Sequence, residues 1–285
     1  MTMTIEDIIL DNDRRGISAL RPHLPPDYCD EAAKVILDNP GTVLIVTGFY
    51  ILNAGATETD GPPGAVVIGK ALKLIGYTPV YVTDRYSASE TKPICDGAEV
   101  VEFPIANETD SKTFAQQTLD KYKPTVVIAI ERCGFTDEGK FRNMHGSDIS
   151  DYNAKTDYLF DGSVPSVGIG DGGNEIGMGN LASVIATVDS LVGKPTVTRT
   201  DKLIIASVSN WGGYGLVAAI SVRKNQNLLA SVEEEQDILK GFVAAGGVDG
   251  MSGKQEPKAD GFTMEENSEM VRRLHDHLRS HRVGE

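Results

Sequence analysis

Apolar positions change their spacing twice along this chain. In residues 1–40, Ile5, Ile8 and Ile9 recur at helical spacing, as do Ala32, Val35 and Ile36, with Asp27 or Asp30 as start signals. Pro22, Pro25 and Pro26 break the stretch between them. From Gly41, short β-branched runs alternate with helical stretches. Strands are predicted at 43–47, 80–83, 100–103, 126–130, 164–169 and 204–207, and helices near 65–75, 111–122, 151–160, 175–192 and 213–224. Beyond Lys224 the pattern is helical again at 231–245 and 264–281, across a glycine-rich stretch, GGVDGMSGKQEPKADGF, that reads as a mobile loop.

Runs such as VLIV and VVIAI are apolar at consecutive positions, as expected of parallel strands covered on both faces. The alternation predicts one α/β domain over residues 1–285: a helical amino-terminal segment (1–40), a sheet core (41–225) and a helical carboxy-terminal segment (226–285). Right-handed crossovers make it a doubly wound, Rossmann-like three-layer fold of about six strands, most simply in the order 3-2-1-4-5-6.

The densest chemistry lies in VPSVGIGDGGNEIGMGNL, read as a strand, a glycine turn carrying Asp171, Asn174 and Glu175, and a helix. Gly168, Gly170 and Gly173 fit G-x-G-x-x-G, with Asp189 further on. Asp171 would sit where a pyrophosphate belongs, however, and this is the fifth βα unit rather than the first. A carboxylate with Asn and Glu beside it suits a hard cation or an ammonium group.

Composition narrows the partners. The formal net charge of −14 over 285 residues argues against nucleic acid and anionic membrane. No apolar run reaches membrane-spanning length, and MTMTIEDIIL is not patterned as a signal peptide. Cys29, Cys95 and Cys133 lack metal-ligand spacing and fit a reducing compartment, so the expected location is the cytoplasm. The helices at both ends leave room for a homo-oligomer. Cys133 has no obvious activating histidine, His277 and His281 lack a metalloprotease glutamate, and neither a Walker A sequence nor a serine-triad signature is present.

Open α/β sheets bind ligands beyond the carboxyl ends of their strands, and the loops at those ends are long, glycine-rich and acidic. Glu58, Asp60, Asp84, Glu131, Asp148, Asp171 and Glu175 are therefore expected on one rim. Such crowding requires a cation, a shared proton or arginines, with Arg132 and Arg142 as contributors. The same loops offer Thr47, Gly48, Glu58, Gly61, Gly64, Gly172, Gly173, Asn174, Asn210 and Gly213 as substrate contacts. Arg14 and Arg15, before Gly16, include a guanidinium able to grip a carboxylate.

TGFYI, ETDGPPGA, IERCG, MHGSDIS, GIGDGGNEIGMGN and SNWGGYG, in order over roughly residues 1–280, together resemble the carboxy-terminal domain of the D-glutamate cyclase family. Longer members carry an extra amino-terminal domain similar to a hydro-lyase, without counterpart in these 285 residues. The resemblance implies a lyase that condenses the amine and γ-carboxylate of D-glutamate to 5-oxo-D-proline with loss of water, assisted by Mg²⁺ or Mn²⁺. On that reading Glu131, Asp171, Glu175 and Asp60 are the catalytic candidates, with Glu131 or Glu175 as base. Asp171, Asn174 and Glu175 are the metal candidates, their turn also offering N–H groups to an oxyanion. Arg132, Arg15 or the N–H groups from Gly61 to Gly64 would anchor the α-carboxylate. The alternatives are a nucleotide- or dinucleotide-dependent enzyme using the same loops, and a non-catalytic amino-acid-binding module.

Overall fold

A computed structural model describes residues 3–284; the ends of the 1–285 domain assignment, Met1, Thr2 and Glu285, lie outside the described residues. Six parallel strands form the central sheet: β1 (Thr42–Thr47), β2 (Thr78–Thr83), β3 (Val100–Glu102), β4 (Val126–Ile130), β5 (Ser166–Gly170) and β6 (Lys202–Ile205). Their spatial order is β3-β2-β1-β4-β5-β6, the expected doubly wound arrangement. Strand order reverses between β1 and β4, where Val43 pairs with Val126 and Thr47 with Ile130.

Consecutive apolar residues are needed because alternate side chains enter different layers. Val43, Ile45, Ile128 and Ile169 join a large core with the helices α1 (Ile5–Ile9), α2 (Tyr28–Asp38), α3 (Pro62–Leu74) and α5 (Ser209–Lys224). Helices α6 (Val232–Ala244) and α7 (Met264–Ser280) extend that core. Leu44, Val46, Val82 and Val127 face the other way, onto Ala115 and Leu119 of α4 (Glu108–Tyr122). The central helix α5 packs against α2, α3 and α7. Among the described residues, no helix is long and apolar enough to cross a membrane.

Two predicted helices do not form. After β5 the chain does not enter a helix at 175–192; Ile176 N–H donates to Arg132 O (2.8 Å) and Gly134 N–H to Asn174 O (2.8 Å), pairing this stretch with the segment after β4. Gly177 sits at φ 104°, and a Cβ on Gly168 would stand 2.7 Å from its Cα. The glycines therefore let the returning chain lie on β5. Only a 3₁₀ turn (Met178–Leu181) and one α-turn (Ala182–Ile185) follow. Residues 151–160 likewise form two 3₁₀ turns, because Ala154 gives its carbonyl to Arg132 (3.0 Å) rather than to a helix ladder. The stretch read as a mobile loop is ordered: Asp249 accepts from Ser252 and Gly261 N–H, Val248 bridges to Glu58, and Lys258–Ala259 pairs with Phe262–Thr263.

Glu235 of α6 is buried against Tyr214 of α5, and one of its oxygens has no partner. Burial pushes its pKa up to about 7. The folded state thus holds a proton that the unfolded chain gives up near its ordinary value, so this group's contribution is full at low pH and is lost as pH rises through about 7. Glu235→Gln is expected to gain about 2 kcal/mol relative to the unmodified chain between about pH 5 and pH 8, measured by urea unfolding. An unchanged difference would place the ionised carboxylate in the native state throughout.

Candidate active site

The carboxyl ends of β1, β4, β5 and the loop before α5 meet at the strand-order reversal. Immediately after β4, Glu131 adopts φ 43°, a left-handed conformation that costs a non-glycine residue energy and recurs at functional sites. Its Oε2 accepts from the Ser209 hydroxyl at 2.5 Å. A Cβ on Gly61 would stand 2.6 Å from that of Glu131, which is why residue 61 carries no side chain.

Asp60 and Asn210 cap each other's helices. Asp60 accepts from Ser209 N–H (2.8 Å) and Asn210 N–H (2.7 Å) at the start of α5. Asn210 Oδ1 accepts from Gly61 N–H (3.0 Å) and Gly64 N–H (2.7 Å) at the start of α3. The N–H groups proposed to anchor an α-carboxylate are therefore already taken. Gly64 and Gly213 serve the close approach of α3 and α5: a Cβ on Gly64 would stand 3.0 Å from Asn210 Cα, and one on Gly213 3.0 Å from Ile130 Cδ1.

At β5, Asp171 is fully buried; Oδ1 accepts from Arg15 Nη1 at 2.6 Å and Oδ2 has no partner. Arg15 Nη2 donates to Asp260 Oδ2 at 2.5 Å, so one guanidinium spans two carboxylates. The Asp13 carboxylate holds this arginine in place by accepting from the N–H groups of Arg15, Gly16, Ile17 and Ser18. Oxygens of Asp60, Asp171 and Asp260 lie within 4.8 Å of one another, as do those of Glu131, Asp171 and Glu175. Glu58 is buried beside them, and a Cβ on Gly250 would collide with its Oε2.

Burial, then mutual repulsion, raises the pKa of Glu58 and Glu131 well above the carboxylate range. Burial does the same to Asp171 against the opposing charge of Arg15. Burial and Asp260 push Asp60 to about 8, although the Asn210 and Ser209 N–H groups favour its anion. For Arg15, burial opposes the charge, but Asp171 and Asp260 raise its pKa.

Several expected site residues are diverted. Glu175 folds back onto its own turn, accepting from Asp171 (3.3 Å), Gly172 (2.8 Å) and Gly173 (2.7 Å) N–H. Those N–H groups are consequently not free for an oxyanion or a phosphate, which removes the basis of the dinucleotide alternative at this turn. Asn174 lines the cleft but donates Nδ2 to Arg142 O (2.9 Å). Arg132 is buried as a clamp joining strand ends, donating to Gly48 O (2.9 Å), Asp84 (2.6 Å) and Ala154 O (3.0 Å), and so does not face the cleft. Thr47 Oγ1 is buried beside Gly61 with no partner. Asp148 and Arg142 leave the cluster for Lys140 and Glu138. Cys133 is buried, its thiol pKa raised by desolvation.

A cleft of about 390 Å³ opens above these groups. Arg15, Glu58, Glu131 and Asn174 line it together with Asn53, Asn143, His145 and Ser147, and the exposed Leu52, Met144 and Met251 form its mouth. Asp260 was missed from sequence because it lies in a glycine-rich stretch 245 residues from its partner Arg15. Its only local signal is the Asp-Gly pair, consistent with φ 53°. The acidic lining fits oxygen-preferring cations: the unpartnered Asp171 Oδ2 and the two carboxylate groupings supply hard donors without thiolate or imidazole. Both Glu175 oxygens and both Asp60 oxygens already accept N–H groups, so the donor set of Asp60, Asp171 and Asp260 rests chiefly on the unpartnered Asp171 Oδ2.

Fold and site define a Rossmann-like α/β domain whose crevice gathers carboxylates in place of a phosphate cradle. Residues 5–275 match the family described as D-glutamate cyclase-like, C-terminal, and the chain belongs to that family. It is also 29% identical over 213 residues to a protein of Homo sapiens named D-glutamate cyclase, mitochondrial, a match covering 67% of this chain and 34% of that protein. The chain thus spans about a third of the length of this curated relative.

Arg15→Met is expected to destabilise the fold by about 3 kcal/mol, because it strands buried carboxylates. In Asp171→Asn the same change should cost at least about 1 kcal/mol less, a coupling read from a double-mutant cycle of urea unfolding. Strict additivity would show that the pair acts independently.

Proposed function

We propose that this chain cyclises D-glutamate to 5-oxo-D-proline and water, a lyase reaction. The observation that carries the reading is the gathering of carboxylates at one cleft: Glu58 and Glu131 line it, Asp60, Asp171 and Asp260 are buried beside them, and Arg15, also in the lining, pairs with Asp171 and Asp260. Carboxyl groups with raised pKa values can both take and give a proton near neutrality. Glu131, at the cleft and oriented by Ser209, takes the proton from the substrate ammonium. As the ring closes the nitrogen sheds a second proton, and Glu58 relays protons to the departing γ-oxygen, so that it takes up two in all and leaves as water.

Nucleophile and electrophile belong to one molecule, so holding it folded supplies a large part of the acceleration. Arg15, Asn143 and Ser147 are the groups around the cleft suited to carboxylate oxygens. Asp60, Asp171 and Asp260 would hold Mg²⁺ or Mn²⁺. When bound, the ion supplies positive charge that polarises the γ-carboxyl and offsets the repulsion between substrate and cleft. The cytoplasm is the location we propose.

The test is incubation with D- and L-glutamate, with Mn²⁺ or with a chelator, followed by chiral mass spectrometry. Expected are 5-oxo-D-proline from D-glutamate, loss after chelation, and a fall of about 10²–10⁴-fold in kcat for Glu131→Gln with the fold retained. Binding without turnover would make the chain an amino-acid receptor; full turnover after exhaustive chelation would exclude the ion.

A further inference from the structure

The cleft is larger and more apolar at its mouth than D-glutamate requires. Its ≈ 390 Å³ falls in the range of about 300–1,000 Å³ typical of pockets that bury drug-sized ligands. Glutamate has ten non-hydrogen atoms packed at bonded distances. Leu52, Met144 and Met251 stand at the mouth on three separate segments, 42%, 40% and 58% exposed. Charge points the same way. The cleft already crowds carboxylates around Arg15, and D-glutamate adds two more, whereas a γ-amide adds only one.

We propose that the same site also cyclises γ-amides of D-glutamate whose amine part is apolar, the amine lying against Leu52, Met144 and Met251. This rests on the cyclase reading of the site and extends its substrate class. The α-ammonium loses a proton to Glu131, and the free amine forms a bond to the γ-carbonyl carbon. The adduct collapses by breaking the original γ-carbon–nitrogen bond, and the departing nitrogen takes a proton from a neighbouring carboxyl. The products are 5-oxo-D-proline and the free amine, with no water, oxidant or nucleotide consumed. An amide carbonyl is also a better electrophile than the carboxylate it replaces.

The experiment supplies the full chain with γ-D-glutamyl anilide and, separately, D-glutamate, and follows aniline and 5-oxo-D-proline against an enzyme-free control. Expected is aniline release with kcat/KM at least equal to that for D-glutamate, abolished in Glu131→Gln. The Leu52→Ser/Met251→Ser double variant should lose about tenfold on the anilide and leave D-glutamate turnover unchanged. Turnover of D-glutamate with an inert anilide overturns the inference, as does equal slowing of both substrates by the double variant. Aniline and 5-oxo-D-proline from the anilide with D-glutamate inert would sink D-glutamate as substrate while upholding γ-amide cyclisation at this site; aniline with D-glutamate in place of 5-oxo-D-proline, or inertness of both substrates, overturns the inference.

Discussion

A single guanidinium shared between two buried carboxylates ties the chain together. Arg15 comes from the amino-terminal segment, Asp171 from the end of β5 and Asp260 from the turn before α7, so both ends of the sequence close over the sheet edge. At an effective dielectric near 20, like charges about 4 Å apart repel by roughly 4 kcal/mol. One arginine cannot offset that repulsion for Glu58, Asp60, Glu131, Asp171 and Asp260 at once. The remaining charge must be met by retained protons or a bound cation. The proposed chemistry draws on this unmet charge.

The surrounding polar groups keep the strand ends where the carboxylates can crowd. Arg132 joins Gly48, Asp84 and Ala154; Glu175 pins the turn after β5; Asp60 and Asn210 cap the paired helices α5 and α3. Each satisfies buried donors or acceptors that would otherwise cost the fold. Asp60 belongs to both groups, since it caps α5 while its oxygens approach those of Asp171 and Asp260. The scaffold and the candidate chemistry thus share a residue, which explains why the pocket lies at the strand-order reversal and not elsewhere on the sheet.

Much of this was legible in the chain, and the rest was hidden for identifiable reasons. Strand order followed from apolar runs separated by crossover lengths, and the meeting of Asp60, Glu131 and Asp171 followed from strand order. Side-chain direction did not follow. Arg132 adjoins Glu131 in sequence yet turns to Gly48, Asp84 and Ala154 instead of the cleft. Glu175 looked like a ligand, but it reaches back to its own turn, where a Cβ on Gly170 or Gly172 would press on its side chain. The helix expected at 175–192 failed because helical spacing says nothing about a neighbouring strand end that offers better backbone partners. Asp260 is paired across most of the chain, a contact that no local pattern encodes.

The central claim is that the folded chain keeps protons on carboxyl groups that the unfolded chain ionises. Its most direct measurement is proton exchange with solvent when metal-stripped protein is unfolded by urea in weak buffer at about pH 7.5. The account predicts net release on the order of two protons per chain, diminished when Glu58 and Asp60 are replaced by their amides. No release, or net uptake, would mean that the cluster is ionised in the native state and that the electrostatic reading of the site is wrong.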